Sequence, residues 1–280
     1  MAKTNSAILS VRADPNSGRM SKKVKGALLP GGYQRIILVH GFNVDERAAA
    51  KNYEAFSKRL WREGSSVRES EQCCKFFWPG NEAGAFQSAL SYSRQIAKAR
   101  ECGVLFGDYL REYLQKSQRT QIILICHSLG CRLVLEALKY ITAVSPATAS
   151  HIRLVVMMAA AVPASFIENR NFDVPIYAKK TACLYSPKDS ILRYFFPIGQ
   201  SMAGDGFYPT AIGLNGSPSS MWTAGHADTG LSHKAYWSSD LVATQVMAML
   251  GTATARQIAS RTIAARQLTT NSLAVYQRLL

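Results

Sequence analysis

Acidic residues are scarce in this sequence, above all at its two ends. The 280 residues include 18 Asp or Glu against 33 Lys or Arg, a formal net charge of +15. Residues 1–35 hold seven basic residues and one acid, and residues 241–280 hold four arginines and no acid. Such ends attract anionic partners or stay solvated. We expect a solvated extension at the N-terminus; weak contact of the basic ends with an anionic membrane stays open, and no specific nucleic acid is predicted.

Long hydrophobic runs are also missing. The apolar runs are short and interrupted, too short for a helix that spans a membrane. The first residues show neither the continuous apolar stretch nor the cleavage site of a secretory signal. We therefore expect a cytoplasmic protein, with export by a route without a cleaved signal as the alternative.

The cysteines lack the spacing of a zinc site, and several fall on expected strands or helices. This placement favours buried free thiols in a reducing compartment over a disulfide framework. We expect no metal and no cofactor. The six residues are Cys73, Cys74, Cys102, Cys126, Cys131 and Cys183.

Strand and helix patterns alternate from residue 35 onward, which predicts βαβ units and a mostly parallel sheet with helices on both faces. In such sheets ligands bind beyond the carboxyl ends of the strands. The expected strands are residues 35–39, 74–78, 121–125, 152–158, 181–185 and, weakly, 220–223. The expected helices are residues 45–62, with Asp45 as N-cap, 84–116, 129–138 and 237–250. We place one domain over residues 33–250, a basic extension over 1–32 and a basic, helical extension over 251–280.

A serine stands where one of these strands passes directly into a helix. The apolar run 121–125 ends in Cys126, and Ser128 precedes the amphipathic pattern of residues 129–138. Such a turn exposes the serine hydroxyl above a helix N-terminus, which favours developing negative charge. The turn needs small flanking residues; Gly130 meets this need, and Cys126 replaces the usual glycine with another small side chain. Ser128 is the candidate nucleophile.

An acid is needed to orient the base that activates a serine. Asp189 follows the strand at 181–185 in a Pro-Lys-Asp turn, at the strand end where a carboxylate can reach over the sheet. The rival acids follow no strong strand: Asp173, Asp205 and Asp228.

The candidate base is His233, with His226 as the rival. Both are expected in the loop before the last helix, where a triad in the order serine, acid, histidine carries its base. His233 is preferred because it directly precedes that helix. His127 is expected to point to the opposite side of its strand, and His40 to fix the loop after the first strong strand by hydrogen bonds.

Two backbone donors are required to stabilise the oxyanion of an acyl-transfer intermediate. One candidate is the N–H of Leu129, directly after the serine. The other is the N–H of Phe42, in the loop that follows strand 35–39. His40 and Gly41 are expected to support this loop, since glycine permits a close approach.

These pieces together resemble the α/β-hydrolase superfamily and, within it, a bacterial group of largely uncharacterised hydrolases. The resemblance covers roughly residues 33–250, in the order the fold requires. It rests on HGFN at 40–43, FWPG at 77–80, HSLGCRLVLEAL at 127–138, YSPKDSIL at 185–192 and SHKAYW at 232–237. It implies an α/β-hydrolase fold and a carboxylic ester hydrolase with Ser128, Asp189 and His233 as its triad.

A large cap domain is not expected, because residues 163–180 are too few to form one. The longer insertion at 190–220 is rich in aromatic residues and glycine. It forms either a mobile wall of an acyl pocket or a surface loop that buries its own aromatics.

Three functions remain open on this reasoning. The first is a serine hydrolase of carboxylic esters, and thioesters or amides would use the same residues. The second is a catalytically silent binding module on the same fold. The third is a lipid-directed acyl hydrolase recruited to anionic membranes by the basic ends. The natural substrate and the oligomeric state are not predicted.

Overall fold

A computed structural model describes residues 7–15, 18–28, 34–62, 73–81, 89–169 and 171–251. Eight strands form one sheet in the order β2-β1-β4-β3-β5-β6-β7-β8. The edge strand β2 runs antiparallel to β1, and every other neighbouring pair is parallel. The strands are β1 Ala7–Arg12, β2 Met20–Gly26, β3 Gln34–Val39, β4 Cys73–Phe77, β5 Gln121–His127, β6 Ile152–Met158, β7 Lys180–Tyr185 and β8 Gly225–Asp228.

Helices cover both faces of the sheet, as the alternating pattern predicts. Five of them have seven residues or more: α1 Glu46–Arg62, α2 Ala89–Lys116, α3 Leu129–Val144, α7 Phe196–Met202 and α9 Asp240–Met249. Four short helices lie between these: α4 Pro146–Ala149, α5 Ala164–Glu168, α6 Val174–Tyr177 and α8 Ile212–Asn215. The predicted N-cap of α1 is confirmed, since the Asp45 carboxylate accepts a hydrogen bond from the Ala48 N–H at 2.7 Å. Residues 84–88 of the predicted second helix lie outside the described ranges.

Two hydrophobic cores flank the sheet, because successive side chains of a strand point to opposite faces. Ile37 of β3 and Leu124 of β5 face the core beneath α2 and α3. Ile36 and Ile123 face the opposite core, beneath α1 and α9. The central strands are therefore buried on both sides, which is why they appear in the sequence as unbroken apolar runs.

The N-terminal residues correct the expected domain boundary. Residues 1–32 were predicted to form a solvated extension, but β1 and β2 within them belong to the main sheet. In β1, Leu9 and Val11 are fully buried and alternate with more exposed positions. In β2 the burial pattern is almost entirely exposed or half-exposed, since this strand forms the edge of the sheet. An edge strand buries few side chains, so β2 can contain lysines and lacks an apolar run. For this reason the sequence pattern did not predict the strand.

The last strand also lies elsewhere than predicted. Residues 219–221 form a turn of 3-10 helix, and β8 is Gly225–Asp228, paired with β7. This four-residue strand alternates half-exposed and exposed positions and contains no apolar run. The final helix α9 begins after Ser239, whose hydroxyl accepts a hydrogen bond from the Val242 N–H at 3.3 Å.

The described chain carries no large cap on its sheet. The segment between β6 and β7 holds only the short helices α5 and α6. Within the described ranges, no helix has both the length and the apolarity that crossing a bilayer requires. The six cysteines are buried as free thiols. The C-terminal extension predicted over 251–280 lies outside the described residues, apart from Gly251.

Candidate active site

Ser128 occupies the tip of the turn between β5 and α3. Its backbone has φ 54° and ψ −126°, a left-handed conformation that is strained for a residue with a side chain. The turn can be this tight because Gly130 has no Cβ; one placed there would lie 2.3 Å from the His40 carbonyl oxygen. Cys126 fits in place of the usual glycine, fully buried, with its thiol 3.4 Å from the Val156 carbonyl oxygen.

Ser128, His233 and Asp189 form a continuous chain of hydrogen bonds. The Ser128 Oγ lies 2.9 Å from His233 Nε2, and His233 Nδ1 lies 2.7 Å from the Asp189 Oδ2. If Nδ1–H donates to the carboxylate, Nε2 is free to accept the serine proton. The parallel sheet brings these residues together although they lie 105 and 44 positions apart, because they follow the carboxyl ends of β5, β7 and β8 at one edge of the sheet.

Asp189 is held so that one oxygen faces the histidine. The side chain is fully buried, and its Oδ1 accepts a hydrogen bond from the Leu192 N–H at 3.0 Å. The Asp189 N–H donates to the Ser186 carbonyl at 3.1 Å, which fixes the turn. The second oxygen, Oδ2, is therefore directed at His233.

His127 supports the loop that carries His233. Its Nε2 lies 2.8 Å from the His233 carbonyl oxygen, and the two rings are 5.0 Å apart between centroids. Burial and the neighbouring His233 lower the pKa of His127 to about 3. The ring is therefore neutral at physiological pH and can donate its Nε2–H to that carbonyl. The sequence-based expectation that His127 points to the opposite side of its strand missed this contact.

The loop after β3 packs directly against Ser128. A Cβ on Gly41 would lie 2.7 Å from the Ser128 Cβ, so only glycine permits this approach. His40 makes contacts through both its backbone and its ring: the Trp78 indole N–H donates to the His40 carbonyl at 2.8 Å, and His40 Nδ1 lies 2.9 Å from the Gly41 carbonyl. The Tyr53 hydroxyl, 2.6 Å from the His40 backbone nitrogen, accepts that N–H.

Two backbone N–H groups beside Ser128 are free to bind an anion. Neither the Phe42 N–H nor the Leu129 N–H donates to another group within the described part of the chain. Leu129 is the first residue of α3, where the helix dipole favours negative charge. These are the two donors that sequence analysis assigned to an oxyanion.

Arg12 reaches this loop from the end of β1, and the sequence did not reveal it. The guanidinium is buried and donates to the Val44 carbonyl at 2.9 Å and to the Asn81 Oδ1 at 2.6 Å. It therefore ties together the loops that follow β3 and β4. Burial lowers the pKa of Arg12, and the nearby carboxylates of Asp45 and Glu46 oppose that shift. The only sequence signal was an arginine in an apolar, alternating stretch.

The rival residues lie apart from Ser128. His226 is on β8 rather than in the loop after it, exposed and stacked on Tyr185 with ring centroids 6.1 Å apart. Asp205 pairs with Arg132 and Arg100. Asp228 accepts a hydrogen bond from the Gly230 N–H at 2.8 Å. Asp173 precedes the short helix α6.

The insertion at 190–220 packs on residues that adjoin this site. A π-helix, Ile191–Phe195, continues into α7, whose Gly199 packs on the Tyr92 ring. Tyr92 in turn meets the Phe42 ring edge-on at 5.6 Å between centroids. The outer aromatics of the insertion stay exposed, so it does not simply bury its own aromatic residues. No group of three or more metal-ligating side chains occurs among the described residues.

The order of the mostly parallel sheet and the strained serine turn between β5 and α3 are those of an α/β hydrolase. The chain belongs to the family described as "Alpha/beta hydrolase of unknown function (DUF900)", whose model matches residues 24–203. The matched region contains Ser128 and Asp189, and His233 lies beyond it. This confirms the predicted superfamily and fold class. No curated protein matches the chain.

Several solved structures are similar at low identity. The product of lin2722 from Listeria innocua is 13% identical, with a TM-score of 0.45, over 80% of this chain and 96% of that one. An extracellular α/β-hydrolase from a Paenibacillus species is 12% identical, with a TM-score of 0.36, over 77% and 98%. A Trichoderma reesei cutinase, solved with a phosphonate inhibitor, is 18% identical, with a TM-score of 0.29, over 47% and 53%.

Proposed function

We propose that this α/β hydrolase cleaves carboxylic esters through an acyl-enzyme formed on Ser128. The observation that carries the proposal is the hydrogen-bonded chain from Ser128 through His233 to Asp189, at 2.9 Å and 2.7 Å. A nucleophile, a base in reach of its proton and an acid behind the base are the three parts that acyl transfer requires.

In the first half of the proposed reaction, the Ser128 Oγ attacks the ester carbonyl carbon and its proton passes to His233 Nε2. Asp189 stabilises the imidazolium that forms. The carbonyl oxygen becomes an oxyanion and accepts hydrogen bonds from the N–H groups of Phe42 and Leu129. When the intermediate collapses, the ester C–O bond breaks and His233 returns the proton to the departing alcohol. The acyl group is left on Ser128.

In the second half, water takes the place of the alcohol. His233 accepts a proton from the water as its oxygen attacks the acyl carbon, and the same two N–H groups bind the second oxyanion. Collapse breaks the bond to the Ser128 Oγ, which recovers its proton from His233 and releases the carboxylic acid. Thioesters and amides differ only in the leaving group, so the assay below includes both.

The proposal is favoured over a silent binding module by the completeness of the site. A module without catalytic function has no need of a strained Ser128 with φ 54° or of two free N–H groups beside it. The buried Asp189 carboxylate aimed at His233 would likewise serve no purpose in it.

The test is turnover of short p-nitrophenyl esters, with a thioester and an anilide in parallel. Ser128→Ala should remove turnover. We expect the variant to fold, because the hydroxyl that it loses is hydrogen-bonded to His233 of the site. His233→Ala should cost roughly 10⁴-fold or more in kcat, because such residues act as a unit. The matched control is His226→Ala, which should retain turnover. Full activity of Ser128→Ala would refute the proposal, and loss in His226→Ala with activity in His233→Ala would transfer the base role.

A further inference from the structure

The outer surface of the insertion exposes several large apolar side chains within one short segment. Residues 191–208 run through the π-helix, α7 and the turn that follows it. Seven of their side chains, here called the aromatic face, are at least one-third exposed: Ile191 37%, Tyr194 59%, Phe195 61%, Ile198 46%, Met202 49%, Phe207 97% and Tyr208 56%. Exposed apolar clusters of this kind mark surfaces that meet another apolar surface.

The exposed charged residues along the segment that carries the aromatic face are basic. Lys188 and Arg193 are exposed at its edge. The only acid between residues 190 and 210 is Asp205, which is 8% exposed and paired with two arginines. This segment therefore presents apolar groups together with two cations, and between residues 190 and 210 it has no exposed acid, which makes it complementary to an anionic, partly apolar surface.

A network of charged side chains anchors the turn that carries Phe207 and Tyr208. The Asp205 carboxylate pairs with Arg100 and, at 3.3 Å, with Arg132, whose side chain is only 4% exposed. Arg132 also pairs with Glu136 at 2.9 Å, so the turn is fixed to helix α3. The Tyr208 N–H donates to the Ser201 hydroxyl at 2.8 Å, which closes the same turn. Phe207 lies in this turn between Asp205 and Tyr208, and its side chain is exposed.

The inner surface of the same segment adjoins the proposed active site. The Leu192 N–H donates to Asp189, and the Gln200 side-chain amide lies 3.4 Å from the Tyr92 hydroxyl. Tyr92 contacts Phe42, one of the proposed oxyanion donors. The segment that carries the aromatic face therefore also contacts residues of the proposed active site.

We propose that the aromatic face binds an anionic lipid bilayer, with its aromatic and aliphatic side chains in the interface and Lys188 and Arg193 at the headgroups. Apolar burial and attraction to anionic headgroups are the two terms that hold proteins at such surfaces. Resting on the function proposed above, this assigns the substrates to esters that a bilayer presents. The aromatic face makes the proposed contact with the bilayer, and this contact is separate from any that the basic chain ends make.

The test is flotation of the full chain with equimolar phosphatidylglycerol–phosphatidylcholine vesicles, and with phosphatidylcholine vesicles alone. We expect binding to the anionic vesicles that weakens at least about tenfold in Phe195→Ser/Phe207→Ser. Lys188→Ser/Arg193→Ser should weaken it about fivefold for each charge removed, on the anionic vesicles only. Thermal melting verifies that each variant is folded.

The matched control is Val144→Ser/Ile176→Ser, which removes two apolar side chains of similar exposure, 51% and 62%, outside the aromatic face. This control should bind like wild type. The proposal is overturned if wild type does not float with anionic vesicles, or if Phe195→Ser/Phe207→Ser floats as well as wild type, which would assign binding to the basic ends. Ser128→Ala should float normally, so a failure of the ester chemistry is separable from a failure of lipid binding.

Discussion

Acid should destabilise this protein through two buried histidines, His40 and His127. Burial, as the largest cause, lowers the pKa of each to about 3, from an ordinary value of 6.5. Between these pH values the unfolded chain binds a proton at each ring and the folded chain does not. Stability is therefore fully present above about pH 6.5 and is lost as the pH falls towards 3.

The size of the effect follows from linkage. Between pH 7 and pH 5, protonation of one unfolded imidazole with an ordinary pKa lowers the free energy of unfolding by about 2 kcal/mol. The two histidines together therefore account for about 4 kcal/mol, a large share of the stability of an ordinary domain.

Urea denaturation at pH 7, 6 and 5 measures this loss. His127→Gln keeps a side-chain N–H near the His233 carbonyl but cannot titrate. Its free energy of unfolding should fall about 2 kcal/mol less than that of wild type over the same range. His226→Gln, at an exposed position on β8, is the control and should follow wild type. An unchanged pH dependence in His127→Gln would refute the reasoning.

Three further predictions follow from other contacts. Gly41→Ala should lower kcat/KM for soluble esters roughly hundredfold, because the new Cβ would lie 2.7 Å from the Ser128 Cβ and displace the loop. An activity within about twofold of wild type, on the order of experimental error, would contradict this prediction. Asp205→Asn should lower the free energy of unfolding by about 3 kcal/mol, because it leaves the buried Arg132 with a single carboxylate partner. Urea denaturation measures this loss, and an unchanged urea midpoint would show that the Asp205–Arg132 pair adds no stability. The six free thiols should react with a disulfide reagent only after denaturation, since all are buried and burial raises the pKa of Cys102 to about 12. Rapid labelling of the native protein would count against this prediction, and so would a melting temperature that falls when reductant is added.

The fold and the serine turn could be predicted because their signals are local. A fully buried parallel strand appears as an apolar run, and the turn at Ser128 requires small residues at fixed offsets. The alternation of these strands with helical patterns gave the predicted fold class, which the family match confirms. In the structure the Ser128 hydroxyl lies within hydrogen-bond distance of His233, the histidine directly before the last helix, whereas His226 lies on β8.

The features that sequence reasoning missed depend on tertiary neighbours. β2 and β8 lie at the two edges of the sheet and bury few side chains, so they lack an apolar run. Arg12 looks like one more basic residue near a basic end, and only the assembled sheet places its guanidinium beneath the Val44 carbonyl. The support that His127 gives to His233 likewise joins residues 106 positions apart, a distance no local pattern spans.

The most direct measurement of the central claim is reaction with a fluorophosphonate probe, followed by mass mapping of the labelled peptide. We predict one adduct per chain, on Ser128, absent from Ser128→Ala and strongly slowed in His233→Ala, because an unassisted hydroxyl is a weak nucleophile. His226→Ala should label at the wild-type rate. A folded wild-type protein that forms no adduct, or a Ser128→Ala variant that labels as fast as wild type, would contradict the assignment of Ser128 as the nucleophile.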